Sequence, residues 1–319
     1  MRSTEYMFEE FILAQYQLSL VAREGITLPE YLGSTLRGGF GRSFRRIVCF
    51  NHKISCPNCL LRERCVYAYV FETSPPKDSE RLRKSKDIPR PFIIEPPIDG
   101  KREYHQGEGL EFGLTLIGRA IDYLPYFIVA FKELGDIGLG MGRGRYFLNG
   151  VSSNGQEIYS SKGEILKGAG NIITMADILK EIKVYPNDRL NLDFITATRL
   201  KSEERYVPIP EFYILIRSLL QRISSLLYFH CSQAILPCDF KGMIERAKGI
   251  RIERNNTRWR DWQRYSSRQK TRMNLGGIVG QITYKGDMEE FLPFILLGRY
   301  VHVGKGTTFG LGRYELRAG

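Results

Sequence analysis

Histidine is the side chain whose ordinary pKa best suits proton transfer near neutral pH, and only four histidines occur in this chain. His302 adjoins a Gly-rich run and is the leading candidate for a general acid or base. His52 follows a predicted helix and borders a cysteine cluster, so it is the second candidate, or an alternative metal ligand. His230 closes an apolar helix and is expected to be structural, while His105 lies in a polar loop. The competing interpretation of His302 is a packed strand residue.

The cysteine cluster has metal-ligand spacing. Cys49, Cys56, Cys59 and Cys65 form a C-x6-C-x2-C-x5-C pattern whose CPNC core would let two thiolates converge on one ion. Four thiolates suit structural zinc, with an iron-sulfur cluster or four unligated thiols as the alternatives. The sequence therefore predicts a zinc-stabilised segment.

The Gly-rich run around Lys305 could hold a phosphodiester. Glycines let the backbone approach a phosphate closely, where successive amide groups donate to its oxygens. The run is not a nucleotide P-loop, because Gly298 is one residue too far from Lys305 and no Ser or Thr follows that lysine. The glycines expected to contact RNA are Gly304, Gly306, Gly310 and Gly312.

A basic, aromatic segment precedes this run. Between Lys241 and Arg272 there are eleven basic and three acidic residues, which is +8 of the net charge of +12. Both tryptophans of the chain lie here among arginines, a pattern that suits base stacking and phosphate pairing. An ordinary charged helix, with Trp259 and Trp262 on one face, is the alternative. The residues expected to bind RNA are Arg258, Trp259, Arg264, Lys270 and Arg272.

The overall composition fits a polyanionic partner. The 319 residues have a sequence pI near 9.4, and no apolar run approaches the roughly 18 to 20 residues that cross a bilayer. The N-terminus has no apolar signal region. A cytoplasmic protein without a membrane partner is expected.

The elements that must position these residues occur twice. Shifting the sequence by 168 residues aligns Gly113–Leu148 with Gln281–Leu316 without gaps, including the shared triplet Gly-Arg-Tyr. Each copy predicts a strand, a short helix, a Gly-rich loop and a second strand. A strand and a helix precede each copy: Phe11–Leu20 and Pro29–Arg46 in the first half, and Leu190–Leu200 and Pro210–Phe229 in the second.

The predicted fold class is therefore α+β, with two tandem ferredoxin-like (βαββαβ, RRM-like) domains. The N-terminal domain spans residues 1–150 and contains the cysteine insertion, residues 49–101. A Gly- and Ser-rich linker, residues 151–175, joins it to the C-terminal domain, residues 176–319. Pro29 and Pro210 are both expected in the first turn of their helices.

Three segments carry a resemblance to a known family: the ending HVGKGTTFGLGRYEL, the segment WQRYSSRQK, and LRGGFGRSF before the cysteines. Together with the duplicated fold, they resemble the CRISPR-associated repeat-processing endoribonucleases of the RAMP superfamily. The resemblance implies metal-independent cleavage of precursor CRISPR RNA within each repeat. A ribose 2′-hydroxyl would attack the adjacent phosphate and leave 2′,3′-cyclic phosphate and 5′-hydroxyl ends.

Such a reaction needs a base, an acid and cations around the phosphorane. We assign His302 as general acid or base, Lys305 and Arg268 as phosphate stabilisers, and Tyr265 as an orienting or proton-donating hydroxyl. Many family members place a catalytic histidine in or just after the first helix, which here contains none, so His52 is the alternative base.

Two other functions fit parts of the sequence. A non-catalytic RAMP subunit could bind CRISPR RNA inside an effector complex with the same fold and charge. A zinc-stabilised protein for another nucleic acid explains the charge and the cysteines but leaves the duplication unexplained. CRISPR repeat RNA is the expected partner in the first two cases.

Overall fold

The computed structural model describes residues 8–75, 88–261, 263–266 and 271–317. The chain divides into two compact units. The N-terminal unit comprises Ile12–Ile173 and Phe229–Cys231, and the C-terminal unit comprises Thr174–Tyr228 and Ser232–Gly319 together with the residues up to Phe11.

The N-terminal unit contains a sheet covered by helices. Its strands are β1 (Ile12–Ala22), β2 (Ile26–Thr27), β3 (Phe92–Glu95), β4 (Glu103–Tyr104), β5 (Gly109–Ile117), β6 (Tyr146–Ser153), β7 (Gln156–Ser160) and β8 (Ile172–Thr174). Its helices are α1 (Gly33–Val48), α2 (Val66–Val70) and α3 (Leu124–Ile137).

The strand order β3-β5-β1-β6-β7 contains the ferredoxin-like order of second, third, first and fourth strands. Alternate β1 side chains from Tyr16 to Ala22 are buried in the same hydrophobic cluster as side chains of α1 and α3, as period-two patterning predicts. The two helices contact each other through stacked aromatic rings, with centroids 4.6 Å apart for Phe40 and Phe127. Phe40 and Phe127 are wholly buried, so this cluster is the centre of the N-terminal core.

The predicted insertion and linker both contribute to this sheet, which corrects two boundaries. β3 lies inside the segment 49–101 and pairs with β5, so it is the second strand of the ferredoxin-like unit. Residues 151–175 hold the end of β6 and the strands β7 and β8, of which β7 pairs with β6 and β8 with β1. The Gly and Ser content of residues 151–175 predicted a linker, but short strands there extend the sheet. Composition did not reveal them, because backbone pairing requires no particular side chain.

The C-terminal unit repeats the plan. Its strands are β9 (Arg189–Thr198), β10 (Lys201–Ser202), β11 (Arg205–Tyr206), β12 (Arg251–Arg260), β13 (Gln263–Ser266), β14 (Thr271–Asn274), β15 (Gly277–Lys285) and β16 (Tyr314–Arg317). Its helices are α4 (Met175–Leu179), α5 (Phe212–Leu226), α6 (Phe240–Ala247) and α7 (Leu292–Val301).

The order β12-β15-β9-β16 is again second, third, first and fourth strand, which confirms the predicted α+β fold of two ferredoxin-like units. α5 begins at Phe212, close to the expected Pro210. α1 begins at Gly33, four residues after Pro29, so the expected match between the two helix starts is wrong. The residues before Gly33 instead follow the short strand β2 and a bend.

The basic segment begins in α6, and from Arg251 onward its described residues form strands and not a helix. β12 and β15 pair with one register from Arg254 opposite Thr283 to Arg260 opposite Gly277. β13 and β14 continue that register, with Gln263 opposite Asn274. The helical alternative is therefore excluded for Trp259, which lies on β12.

Candidate nucleic-acid interface

The Gly-rich loop, residues 302–313, connects α7 to β16 and is fixed by backbone hydrogen bonds. The Val303 amide donates to the Gly312 carbonyl at 3.0 Å, which closes the loop at its base. The Lys305 amide donates to the Arg199 carbonyl at 3.1 Å, just beyond the end of β9. The Gly312 amide reaches the Ala197 carbonyl at 3.2 Å. The loop is therefore a fixed feature at the C-terminal end of β9.

Two of its positions require glycine. Gly304 and Gly312 have φ values of 83° and 76°, in the left-handed region. A Cβ atom at Gly304 would lie 2.5 Å from the Arg199 oxygen, and one at Gly312 would lie 1.9 Å from the Val303 oxygen. Close backbone packing therefore explains these glycines. Lys305, between two glycines of positive φ, is exposed.

His302 is the first residue of this loop, and it has no exposed surface. Its Nδ1 faces the Leu311 carbonyl oxygen at 3.1 Å, and a carbonyl only accepts, so Nδ1 carries the proton. Burial, with Arg222 as a lesser cause, lowers the pKa of His302 to about 3. The imidazole is therefore neutral at pH 7 and out of reach of a substrate. This corrects the sequence-based role of His302 as general acid or base and matches the packed-residue interpretation.

Arg222, on α5, lies in the same buried region. Its Nε donates to the Val301 carbonyl at 2.7 Å, at the C-terminal end of α7. A cation is favourable at a helix C-terminus, where carbonyl groups point outward. Burial lowers the pKa of Arg222 to about 9, so it still carries its charge at pH 7. Arg222 and His302 thus fix the junction at which the Gly-rich loop begins.

A second feature is the exposed face of β12. Arg258 and Arg260 are exposed and, by strand alternation, share one face with Asn256. A shallow groove of about 350 Å³ runs along this face. It is lined by Asp193, Ile195, Asn256, Arg258, Arg260, Val279, Gly280 and Gln281. Asp193 is ion-paired with Arg317, so its charge is compensated within the sheet.

Trp259 lies on the opposite face of β12 and is 36% exposed. Its indole nitrogen donates to Asp261 Oδ1 at 2.9 Å. The tryptophan ring is therefore reachable by a base but does not share the groove face with Arg258.

The loop and the arginines lie at the same end of one sheet. Ile278 of β15 pairs with Thr198 at the end of β9 and with Trp259 near the end of β12. Neighbouring strands are about 4.8 Å apart, so β12 lies roughly 10 Å from β9, which holds the loop. The two sequence motifs therefore lie at the same end of the C-terminal sheet.

Several predicted residues lie on the distal hairpin. Arg264 and Tyr265 are on β13, and Tyr265 pairs with Arg272 of β14 in the backbone register. Trp262, Arg268 and Lys270 lie outside the described residues.

The cysteine cluster does not form a metal-binding group. Among the described residues 8–75 and 88–261, with 263–266 and 271–317, no three His, Cys, Asp or Glu side chains are arranged to hold an ion. Cys49, Cys56, Cys59 and Cys65 are partly buried thiols around two short 3₁₀ turns. Burial raises the pKa of Cys56, which disfavours its thiolate form. The sequence-based zinc site therefore stays a prediction, which measuring zinc per chain would test.

His52 is exposed in the turn that follows α1, next to this cluster. The Arg45 guanidinium donates to the backbone carbonyl oxygen of His52 at 3.5 Å, so this bond does not involve the imidazole. His230, by contrast, is buried with ring nitrogens 3.2 Å from the Tyr69 hydroxyl and 2.7 Å from the Pro89 carbonyl. The structural interpretation of His230 is confirmed.

Comparison with known protein families decides the assignment. A family model described as an N-terminal domain, AF_1859_N, matches residues 11–171, which is half of the chain. The model of the CRISPR-associated endoribonuclease Cas6 matches residues 192–314, including the Gly-rich loop and β12. The chain therefore belongs to the AF_1859_N family, and its C-terminal part is similar to Cas6.

Relatives and solved structures cover nearly the whole chain. An uncharacterized protein of Archaeoglobus fulgidus is 24% identical over 305 residues, 91% of this chain and 93% of that protein. A Cas6 product complex has a TM-score of 0.57 at 17% identity, covering 96% of this chain and 99% of its own. Thermus thermophilus Cas6 has a TM-score of 0.55 at 16% identity, with 96% and 99% covered. At these identities the similarity shows a shared Cas6 fold.

Sequence reasoning missed one exposed group beside the Gly-rich loop. Tyr206, on β11, is 39% exposed, and the Arg199 guanidinium lies 4.4 Å from the centre of its ring. The run of polar and charged residues in LKSEERY is the sequence signal for this exposed hairpin. In the described part of the chain, no helix is long and apolar enough to span a bilayer.

Proposed function

We propose that this chain is a metal-independent endoribonuclease that cleaves precursor CRISPR RNA within its repeats. The ribose 2′-hydroxyl loses its proton to a base and its oxygen bonds to the adjacent phosphorus. The bond from phosphorus to the 5′-oxygen then breaks, and an acid protonates the leaving oxygen. The products are a 2′,3′-cyclic phosphate and a 5′-hydroxyl, and no water or metal enters the balance.

One observation carries this proposal: the Gly-rich loop and the exposed arginines of β12 lie at one end of the same sheet, in the segment that matches the Cas6 model. The exposed ammonium of Lys305 would pair with phosphate at the loop. Arg258 and Arg260 would pair with neighbouring phosphates along the groove. Cations placed in this way stabilise the charge that develops on the phosphorane.

We assign the proton-transfer role to His52 in place of His302. His302 is buried and neutral, whereas His52 is exposed just after the first helix of the N-terminal unit. Tyr265 and Arg268 keep their proposed roles as an orienting hydroxyl and a phosphate stabiliser. A positioned acid or base contributes about 10² to 10⁴ in rate.

The test is incubation of the purified protein with CRISPR repeat RNA in excess EDTA. We expect one cut per repeat, with 2′,3′-cyclic phosphate and 5′-hydroxyl ends. Stable binding without cleavage would contradict the enzymatic proposal and indicate a non-catalytic RNA-binding subunit.

A pair of matched variants tests the assignment of His52. His52→Ala should lower the single-turnover cleavage rate at least 100-fold with unchanged RNA affinity. His105→Ala, which removes another exposed histidine of the N-terminal unit, should cleave as the wild type does. Equal rates for the two variants would exclude His52 as the proton carrier.

A further inference from the structure

We infer that Tyr206, together with Arg199 and Lys201, forms a stacking subsite for an RNA base next to the nucleotide held by the Gly-rich loop. This inference rests on the proposed function, because it assigns a second contact to the same RNA. It concerns the short hairpin of β10 and β11, which follows β9 directly.

The three side chains lie close together. Lys201 and Tyr206 are directly opposite each other in the antiparallel register, so their side chains project to the same side. The Arg199 guanidinium lies 4.4 Å and the Lys201 ammonium 5.4 Å from the centre of the Tyr206 ring. Both cations are therefore next to the ring, which stays 39% exposed.

Hydrogen bonds to backbone carbonyl groups hold the β10–β11 hairpin in place without the Tyr206 side chain. The Arg217 guanidinium, on α5, donates to the Lys201 carbonyl at 2.8 Å, and the Val207 amide donates to the Leu200 carbonyl at 3.1 Å. Its turn uses Glu203 and Glu204, both with positive φ, as two-residue hairpin turns require. The exposed ring of Tyr206 is therefore presented from a fixed backbone.

Arg199 joins this hairpin to the phosphate-binding loop. Its side chain contacts Tyr206, while its carbonyl oxygen accepts from the Lys305 amide. The loop approaches that backbone so closely that a Cβ atom at Gly304 would lie 2.5 Å from the same oxygen. An RNA backbone at Lys305 would therefore bring a neighbouring base to the Tyr206 ring.

The chemistry of the group favours a nucleic-acid base over a peptide. Tyr206 has an aromatic face, 39% of the side chain is exposed, and the flanking groups are cations that suit phosphates. A structural cation-π contact alone would not require an exposed ring beside the loop. Base stacking on an aromatic ring is tolerant of sequence, so the subsite would position the RNA and not read it.

The experiment compares Tyr206→Ala, Tyr206→Leu and Tyr206→Phe in full-length protein. The probe is repeat RNA carrying 2-aminopurine at single positions around the cut, whose fluorescence is quenched by stacking. We expect the Ala and Leu variants to lose the quenching at one position and to bind about 5- to 150-fold more weakly. The Phe variant should retain both, because it keeps the aromatic face.

Tyr126→Ala is the matched control, since Tyr126 is 40% exposed on α3 of the N-terminal unit. It should leave quenching and affinity unchanged. Circular dichroism checks that the Leu variant, which keeps the apolar contact, is folded. Wild-type affinity and quenching in all three Tyr206 variants would overturn the subsite.

The outcomes separate the two proposals. RNA that is bound and quenched but not cut contradicts only the endoribonuclease activity. RNA that is cut normally by the Ala and Leu variants, with unchanged affinity, contradicts only the subsite. Absence of RNA binding by the wild type contradicts both.

Discussion

The imidazole Nδ1 of His302 donates a hydrogen bond to the carbonyl oxygen of Leu311, 3.1 Å away. The bond ties the first residue of the Gly-rich loop to a residue near its end, and the Val303 amide reinforces it by donating to Gly312. His302 also has φ of 58°, a conformation that side chains other than glycine rarely adopt. We conclude that His302 shapes the loop and does not carry protons during cleavage.

The first prediction concerns stability against pH. The pKa of His302 is about 3 in the folded chain and near 6.5 when unfolded. Below pH 6.5 the unfolded chain therefore binds a proton at His302 that the folded chain does not bind. The free energy of unfolding falls as the pH is lowered from 6.5 toward 3. His302→Asn, which keeps an N–H donor and tolerates positive φ, should lose less stability between pH 7 and pH 4. The difference, of the order of a few kcal/mol, is measurable by denaturant unfolding.

His105→Asn is the control for this comparison, because that histidine is exposed. It should reproduce the wild-type pH dependence. The His302→Asn variant should also cleave within about tenfold of the wild-type rate. A loss beyond 100-fold with unchanged folding and RNA affinity would restore His302 as a catalytic group.

The second prediction concerns the close contact of the loop with β9. Gly304→Ala places a Cβ atom against the Arg199 oxygen at a residue of positive φ. We expect a loss of at least about 1–2 kcal/mol in the free energy of unfolding, together with weaker RNA binding. Gly163→Ala has open space and should change neither property. Unaltered stability and affinity for both variants would show that the loop geometry is not required.

The third prediction concerns the salt dependence of RNA binding. Replacing Arg258 by Ala removes one phosphate contact, so the slope of log affinity against log salt should become shallower by roughly 0.7. Arg260→Ala should have a similar effect. Lys183→Ala removes an exposed cation near the helix layer and should leave the slope unchanged. Equal slopes for all three variants would argue against RNA on the β12 face.

Much of the fold was predictable because the duplication has a physical signature. The alternating apolar residues of β1 and β9 and the repeated Leu-Pro helix starts depend only on local sequence. Two elements escaped because their side chains are uninformative. β12 reads RIERNNTRWR and is exposed along its length, so no apolar alternation marks it as a strand. β3 is too short and too far from its partner β5 for a local pattern to place it.

The candidate site was only partly predictable from the sequence. Glycine spacing and charge pointed to two segments that the fold places at the same end of one sheet. The burial of His302 could not be predicted, because it arises in the folded unit, where Arg222, 80 positions earlier in the chain, lies close enough to influence its pKa. Proximity to a Gly-rich run therefore made His302 resemble a catalytic residue. Tyr206 was missed because its significance comes from Arg199 contacting both its ring and the loop.

The most direct test of the central claim is photocrosslinking of one repeat RNA, substituted with 4-thiouridine near the cut, followed by mass spectrometry of the attached peptides. The claim is that the Gly-rich loop and the β12 face hold one RNA strand. We expect crosslinked peptides from residues 302–313 and from residues 251–260 with the same RNA, and their joint loss when Gly304→Ala distorts the loop. Crosslinks from only one of these segments, or from neither, would contradict the account.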